Sequence, residues 1–319
     1  MTTPLVSISC ITYNHAPYIR ECLEGFLMQK TNFPFEILIH DDASTDGTAD
    51  IIREYEVKYP DLIKPILREK NLYSQGIRSI DRFNYERAQG KYIALCEGDD
   101  FWTDPNKLQI QFDFMESHPD YSLHCHQRVI VNDLRKICYK NILAANLPED
   151  EEQLCHDLLC NRYYLPTQTL FIRKSNLEER MEAIKQTTEG FPMGDVQLVI
   201  HLSLSGKVCF ASDVMSAYRV GAGSVTHFDN PVKLNHFRQN AIKGLYFLAD
   251  SLNHPEWKED IYNAWENNTG SKDTKLSSIK TVLRRCYWYF KEEMLHLHYY
   301  WYSISSPRNR CRRCFFMYK

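Results

Sequence analysis

Short apolar runs alternate with helical patterns over the first hundred residues, and this alternation limits the folds open to the chain more than any other feature. The apolar runs have the length and the β-branched content of buried strands, and they cover 5–13, 35–40, 63–67 and 92–96. Apolar residues at helical spacing separate them, over about 18–29, 48–59 and 78–89. Such alternation predicts a mostly parallel sheet with helices on both faces. Pro65 predicts that the third strand lies at an edge, because proline cannot donate to a central ladder.

Polar loops follow three of these strands, and a parallel sheet would bring the loops to one edge. They are Tyr13-Asn14-His15, Asp41-Asp42-Ala43-Ser44 and Gly98-Asp99-Asp100. Ligands of such sheets bind beyond the carboxyl ends of the strands. Two adjacent carboxylates after a buried strand need partners, and Mg²⁺ or Mn²⁺ would suit their oxygens. The alternative is a turn that caps the next helix; the convergence of the loops favours the metal, and Glu97 is interpreted as structural.

The pattern becomes less regular after the fourth strand. Helices are predicted over 107–117, from Asp195 to Gly206, and from 231 onward. Strands are predicted over 122–131, 167–173 and 207–211. Residues 133–163 resemble an insertion or loop-rich cap, and 218–224 a loop loosened by glycines.

Composition excludes several classes of protein. A formal net charge of −3 gives no support to a nucleic-acid partner. No apolar run reaches the ~18–20 residues that span a bilayer, and the start of the chain lacks the pattern of a secretory signal. Eleven scattered cysteines suit reduced thiols better than a disulfide framework. We therefore expect a cytoplasmic protein.

Four segments, taken together in order and spacing, carry a resemblance to a known family. They are Ser9-Cys10-Ile11-Thr12-Tyr13-Asn14, the stretch from Asp41 to Thr48, Gly98-Asp99-Asp100 and Gly194-Asp195. Over roughly residues 4–225 the chain resembles the inverting, nucleotide-sugar-dependent glycosyltransferases of family 2. The resemblance implies a GT-A fold, with a Rossmann-like, mostly parallel sheet flanked by helices and a helical C-terminal extension. It divides the chain into a catalytic domain, 1–228, and a helical, aromatic and basic region, 229–319.

The resemblance assigns the donor-binding residues. Asp42 corresponds to the carboxylate that accepts a hydrogen bond from the nucleotide base, and Thr12, Tyr13 and Asn14 to the segment along base and ribose. Asn71 and Arg78, in the polar loop before the fourth strand, are candidates for further contacts with the nucleotide.

Asp100 corresponds to the direct ligand of Mn²⁺ or Mg²⁺, and Asp99 to a contact with ribose or with the water shell of the metal. Ser44 and Asp46, by contrast, are interpreted as caps of the next helix.

Asp195 corresponds to the general base, and it also suits a helix N-cap. Many members of the family carry Glu-Asp where this chain has Gly194-Asp195. Arg219 resembles a contact to the diphosphate. Trp102 either stacks on a sugar or fills the core. Thr167 and Gln168 either line the acceptor site or begin a strand.

The implied activity is transfer of a hexosyl or N-acetylhexosaminyl group from a nucleotide sugar, with a UDP-sugar expected, to a saccharide or lipid-linked acceptor. The implied setting is bacterial surface-polysaccharide biosynthesis. A non-catalytic module of the same fold is one alternative, but it would have no use for Asp195. A nucleotidyltransferase is another, but it should carry a phosphate loop rich in glycine and lysine, which Thr12–Tyr18 lacks.

The C-terminal segment 281–319 interleaves basic residues with tyrosine, tryptophan and phenylalanine. Such a segment suits a helix lying on the inner face of the cytoplasmic membrane. Packing on the catalytic core and contact with a second copy in a homodimer are equally compatible with it.

Overall fold

The computed structural model describes residues 3–77, 81–132, 137–140, 147–188, 191–192, 194–220 and 231–268. Residues Met1–Ala264 form one compact unit, and a second unit covers Trp265–Lys319. Arg78 and the segment 281–319 lie outside the described residues. The division at residue 228 stays a prediction.

Strands and helices alternate along the chain. The strands are β1 (Val6–Thr12), β2 (Phe35–Asp41), β3 (Ile63–Leu67), β4 (Tyr92–Leu95), β5 (Phe101–Trp102), β6 (Tyr121–Asn132), β7 (Ile137–Lys140), β8 (Phe171–Arg173) and β9 (Lys207–Val220). The α-helices are α1 (Ile19–Leu27), α2 (Thr48–Lys58), α3 (Arg82–Tyr85), α4 (Lys107–Ser117), α5 (Glu151–Leu159), α6 (Lys174–Thr188), α7 (Gly194–Ser203), α8 (Pro231–Ser251) and α9 (Lys258–Asn268). Short 3-10 turns cover Tyr73–Gln75, Thr167–Thr169 and Pro255–Trp257.

The strands form one sheet in the order β3-β2-β1-β4-β8-β6-β9-β5, with β7 paired to β6. The first four strands are parallel, as are β6 and β9, whereas β8 and β5 are antiparallel to their neighbours. The predicted α/β fold with a mostly parallel sheet is confirmed, and Pro65 lies in the edge strand β3. Thr12 is in register with Asp41, so the loops after β1 and β2 leave the sheet side by side.

Aromatic side chains fill the space between the sheet and the helices on it. Phe26 of α1 meets the Trp102 ring edge-on at 4.8 Å, and Tyr92 stacks on Phe171 at 5.1 Å. All four side chains are almost fully buried. Burying a ring of this size stabilises the fold by roughly 1.5–3 kcal/mol relative to leaving it exposed. This packing holds β4, β5 and β8 in fixed positions beneath the loops of the site.

The structure differs from the predicted elements in the second half of the sheet. The strand predicted over 207–211 continues to Val220, because its later residues pair with β6 and β5. The strand predicted over 167–173 is a 3-10 turn followed by the short strand β8. Within 133–163 the structure contains β7 and α5. Long-range pairing decides the extent of β9, and local sequence patterns carry no information about it. Helix α5, by contrast, has a local start signal, since Asp150 Oδ1 accepts from the Gln153 N–H over 2.7 Å.

Helices α8 and α9 follow the sheet and confirm a helical extension up to residue 268. Phe247 of α8 lies against Phe191, with ring centroids 5.7 Å apart. Within the described part of the chain, no helix combines the length and the hydropathy needed to cross a bilayer.

Candidate active site

The loops after β1 and β2 are tied to each other by hydrogen bonds. The Asn14 N–H donates to Ser44 Oγ over 2.8 Å, and Asn14 Oδ1 accepts from the Thr45 N–H over 2.8 Å. The His15 N–H donates to Thr48 Oγ1 over 2.8 Å. Asn14 has a positive φ of 56°, a conformation that asparagine tolerates better than most residues. The loops after β1 and β2, both singled out from the sequence, therefore form one rigid unit at the edge of the sheet, the rim of the site.

This rim changes the interpretation of Ser44, which was expected to cap α2. Its hydroxyl accepts from Asn14 and donates to Asp41, so it joins the two loops. Asp46 does serve the start of α2, since its Oδ1 accepts from the Thr48 N–H over 3.0 Å. The N-cap position of α2 is held by Gly47, so neither Ser44 nor Asp46 is the cap; Asp46, one residue earlier, accepts from the first N–H of the helix.

Asp42 lies buried beneath the loop that follows β3. Its Oδ1 accepts from the Leu72 N–H over 2.7 Å, and its Oδ2 accepts from the Tyr73 N–H over 3.0 Å. Its own N–H donates to the Thr12 carbonyl over 3.0 Å, so Thr12 and Asp42 are neighbours. An ionised carboxylate has about four acceptor positions, which leaves room for one more donor. Tyr13, beside them, is 45% exposed.

Asp99 and Asp100 lie in a loop that passes very close to the end of β1. A Cβ at Gly98 would lie 2.6 Å from Thr12 Oγ1, so only glycine fits without a shift. Asp100 is 2% exposed and its Oδ1 accepts from the Arg219 N–H over 2.8 Å. Asp99 is more open, with Oδ2 3.8 Å from His15 Nε2.

The Arg219 side chain contacts the loop that carries Asp99 and Asp100 and holds it in place. Its Nη2 donates to Glu21 Oε2 over 2.6 Å, and its Nε donates to the Asp99 carbonyl over 3.0 Å. The guanidinium also packs on the rings of Tyr18 and Phe101, and Arg219 is 4% exposed. With these partners Arg219 positions Asp99 and Asp100; a contact with diphosphate would require the Glu21 pair to open.

Asp195 lies in the first turn of α7, where the helix dipole favours a negative charge. The Tyr164 hydroxyl donates to its Oδ2 over 3.0 Å. Burial raises the pKa of Asp195, and the hydrogen bond from Tyr164 opposes that rise. The carboxylate is therefore both oriented and made more basic than an exposed aspartate.

Electrostatic coupling shows that Asp195 and the Asp99–Asp100 loop share one region. Burial raises the pKa of Glu97 to about 8, with further contributions from Asp99, Asp81 and Asp195. Burial, and then Asp195, raises the pKa of Asp81 to about 6. Burial also raises the pKa of Asp100 well above its usual value, with Asp99 and Glu97 adding to it. Glu97, interpreted from sequence as structural, thus belongs to the acidic cluster.

The cluster suits a divalent cation completed by substrate. Carboxylates crowded together in a buried place repel one another, and a hard cation with oxygen ligands would relieve that repulsion. Among the described residues, no three His, Cys, Asp or Glu side chains are arranged to hold a metal by themselves. Mg²⁺ commonly takes one or two carboxylates and completes its shell with phosphates and waters. Asp100 and Asp99 fit that mode.

Two side chains predicted near the acceptor are buried. Trp102 is 2% exposed, and its Nε1 donates to the Gln168 carbonyl over 3.0 Å. Its indole therefore fills the core, the second of the two interpretations, and does not present a face to a sugar. Gln168 is 1% exposed, and its Nε2 has no hydrogen-bond partner among the residues that the structure describes. Thr167, half-buried, begins the 3-10 turn that packs on β4, β6 and β9.

Sequence patterns missed Tyr164, Asp81 and Arg128. Tyr164 lies two residues before Pro166, and it is 31 residues away in sequence from its partner Asp195. Arg128 lies inside a strand, where an arginine at an inward position gives no local signal of a site. Only the fold brings these side chains to the acidic cluster.

Comparisons with known proteins agree with this geometry. Residues 7–179 match the family described as glycosyl transferase family 2. An uncharacterized protein of Mycobacterium tuberculosis is 35% identical over 223 residues, 70% of this chain and 60% of the relative. TuaG of Bacillus subtilis, a putative teichuronic acid biosynthesis glycosyltransferase, is 38% identical over 112 residues, 35% of this chain and 42% of TuaG.

Among solved structures, S. aureus TarS 1-349 in complex with UDP-GlcNAc has the same fold. The TM-score is 0.55 at 19% identity, covering 76% of this chain and 66% of TarS. The chain thus spans less than two thirds of the length of these relatives. The family match nevertheless covers more than half of the chain and includes the loops that carry Asp42, Asp99 and Asp100. The chain therefore belongs to glycosyl transferase family 2, with a GT-A-type fold.

Proposed function

We propose that this chain transfers a sugar from a nucleotide donor to a hydroxyl group of an acceptor, with inversion at the anomeric carbon. One observation carries the proposal: Asp195, oriented by Tyr164, shares a partly buried acidic cluster with Asp100. The cluster supplies a base on one side and a cation site on the other. A non-catalytic binding module would need only the second.

The donor would lie along the rim formed by the loops after β1 and β2. Asp42 would accept from the nucleotide base with its remaining lone pairs, and Thr12, Tyr13 and Asn14 would contact base and ribose. The close packing of this rim fixes these groups before the donor binds, which reduces the entropy lost on binding. Arg78 remains a predicted contact.

Asp100 and Asp99 would hold Mn²⁺ or Mg²⁺ together with the diphosphate. When bound, the cation stabilises the negative charge that develops as the nucleoside diphosphate departs. Arg219, through its hydrogen bonds to both aspartates, holds the loop in the required position.

Asp195 would act on the acceptor. Its carboxylate takes the proton of the acceptor hydroxyl while the hydroxyl oxygen forms a bond to the anomeric carbon. The bond from that carbon to the diphosphate oxygen breaks on the opposite face, so a single in-line displacement inverts the configuration. The raised pKa of Asp195 strengthens it as a base.

The setting we propose is bacterial surface-polysaccharide assembly in the cytoplasm, since TuaG is named for teichuronic acid biosynthesis. TarS with UDP-GlcNAc is the precedent for a UDP-sugar donor and a hexosyl or N-acetylhexosaminyl group. The acceptor would be a saccharide or lipid-linked saccharide. Contact of the segment 281–319 with the membrane surface, or with a second copy, belongs to the same proposal.

The Asp195→Asn variant tests the assignment. We expect turnover to fall by at least about 1,000-fold, because the base is lost, while the Kd of the donor changes only a few-fold. Calorimetry with UDP and Mn²⁺, alongside product analysis, separates the two effects. Asp213→Asn is the matched control, since Asp213 is an exposed residue of β9. Turnover that survives in Asp195→Asn would show that another group is the base.

A further inference from the structure

Arg128 of β6 is a buried cation for which the described residues provide no acceptor. The residue is 8% exposed, and its Nε and Nη1 are buried without a hydrogen-bond partner. No described carboxylate lies within ion-pair distance of it. A buried guanidinium without acceptors lowers the stability of the folded protein, because buried charges need hydrogen-bonded partners. An oxygen-rich ligand would supply such partners.

Two tyrosines hold the guanidinium in place. Its central carbon lies 4.4 Å from the Tyr218 ring centroid and 5.3 Å from that of Tyr164. Tyr164 is the residue that donates to Asp195. Stacking of this kind fixes the planar fork of an arginine without using its N–H donors. Arg128 is therefore positioned beside the base, and its buried Nε and Nη1 are not engaged by any described residue.

The positive charge of Arg128 also acts on Asp100, the main carboxylate of the proposed cation site. Burial raises the pKa of Asp100 and of Asp195, and the positive charge of Arg128 opposes the rise in both. The guanidinium thus lies near both carboxylates and hydrogen-bonds to neither. The proposed mechanism places the reacting end of the donor in this region.

Lys107 shows how the same fold accommodates a buried basic side chain in a structural role, where burial lowers its pKa to about 7. It is 0% exposed, its Nζ donates to Gln111 Oε1 over 2.6 Å, and it lies over the Trp102 ring. Lys107 has a hydrogen-bond partner, whereas Nε and Nη1 of Arg128 find none among the described residues. Ser216, in register with Arg128 on β9, has a buried hydroxyl that also finds no hydrogen-bond partner in the described part of the chain. Two adjacent unsatisfied groups favour a ligand over a purely structural role.

We propose that Arg128 binds an oxyanion of the donor between Asp100 and Asp195, through the paired N–H groups of its guanidinium. This inference rests on the proposed function and adds a binding residue to it. A guanidinium recognises phosphate and carboxylate with the same bidentate geometry. The oxyanion is therefore either the β-phosphate of the nucleotide or the carboxylate of an acidic sugar.

Calorimetry on Arg128→Lys and Arg128→Gln tests the proposal. The wild-type chain is first screened against UDP, GDP, ADP and CDP with Mn²⁺, and the nucleotide that binds is then compared with its monophosphate. A β-phosphate contact predicts that diphosphate binding weakens by roughly 10- to 100-fold while monophosphate binding is unchanged. A sugar-carboxylate contact predicts a similar loss for UDP-glucuronic acid and none for UDP-glucose.

Arg173→Lys is the matched control, because Arg173 donates to three backbone carbonyls and the Tyr92 hydroxyl, away from the acidic cluster. It should lower the unfolding temperature and leave the ratio of the two nucleotide affinities unchanged. If both Arg128 variants fold and bind every ligand like the wild type, this proposal is overturned while the proposed function stands. A wild-type chain that binds none of the nucleotides or nucleotide sugars overturns both.

Discussion

Buried carboxylates in this protein differ in how many donors surround them. Glu36 is 2% exposed, yet three donors hold its pKa below the usual value against the effect of burial. Asp100 is equally buried, accepts one backbone N–H and has two acidic neighbours, so its pKa is raised. The first arrangement stabilises the fold. The second places like charges close together, and a bound cation would stabilise them. Local destabilisation of this kind is expected at functional sites.

Tyr164→Phe tests the same principle at Asp195. The hydrogen bond from Tyr164 lowers the pKa of Asp195, so its loss lets burial raise that pKa further. Because the base acts when ionised, the acid limb of the activity profile should move to higher pH. Activity at pH 6 should therefore fall more than activity at pH 8. The measurement is kcat/KM from pH 5 to 9.

Tyr262→Phe is the control for this profile, since Tyr262 is 48% exposed on α9. An acid limb that stays in place in Tyr164→Phe would mean that the ionisation of Asp195 does not limit the reaction.

Elements of the sheet are joined by side chains as well as by their ladders. Glu36 of β2 accepts from the Ser7 hydroxyl of β1 over 2.7 Å, from Lys64 Nζ of β3 over 2.7 Å, and from the Gln89 N–H over 2.8 Å. One carboxylate thus connects three parallel strands and the segment that leads into β4. Parallel strands have no tight turns between them, so such contacts help to set their registers.

Glu36→Gln should lower the free energy of unfolding by about 2–3 kcal/mol at pH 7, because a buried charged partner of Lys64 is lost. The folded-state pKa of Glu36 is depressed, so its contribution is present above about pH 4.5 and is lost as pH falls through the folded-state value. The difference between wild type and variant should therefore shrink between pH 5 and 3. Urea denaturation at several pH values measures it.

Glu54→Gln is the matched control, because Glu54 pairs with Arg20 on the surface. Its loss should lower the free energy of unfolding much less than the loss of Glu36, because solvent screens an exposed ion pair. Equal effects of the two substitutions would show that Glu36 does not join the strands as described.

At the scale of the whole molecule, ligand binding at the acidic cluster stabilises the folded state and with it the sheet. The acidic cluster combines Asp81, the Glu97–Asp100 segment and Asp195, so a ligand there contacts elements distant in sequence. A ligand that binds only the native state at 100 times its Kd adds about 2.7 kcal/mol, which corresponds to a rise of roughly 5 °C in Tm.

We therefore expect UDP with Mn²⁺ to raise the Tm of the wild-type chain, and a chelator to remove most of the rise. Asp100→Asn should abolish the part that depends on Mn²⁺ and leave the unliganded Tm equal or higher, since one buried like charge disappears. Differential scanning fluorimetry measures both. An Mn²⁺-dependent rise that persists in Asp100→Asn would place the cation elsewhere.

Much of the first half of the fold was predictable from the sequence. Its strands, the edge position of Pro65 and the neighbouring loops of Thr12 and Asp42 follow from local periodicity, because each parallel strand and its helix are coded within a short stretch. The second half was less predictable. Residues 212–220 belong to a strand only because β6 and β5 lie on either side of them.

The sequence by itself determined the family and the residue types at the ends of the strands, since Asp42, Asp99, Asp100 and Asp195 follow recognisable patterns. Tertiary structure alone decided which groups surround them. The hydrogen bond from Tyr164 to Asp195, the one from Arg219 to Asp100 and the packing of Arg128 on Tyr164 and Tyr218 all join residues far apart in the chain. Local patterns report which side chains a segment carries and how it folds. The burial and the neighbours that set a pKa or leave a guanidinium unpaired depend on how distant segments pack.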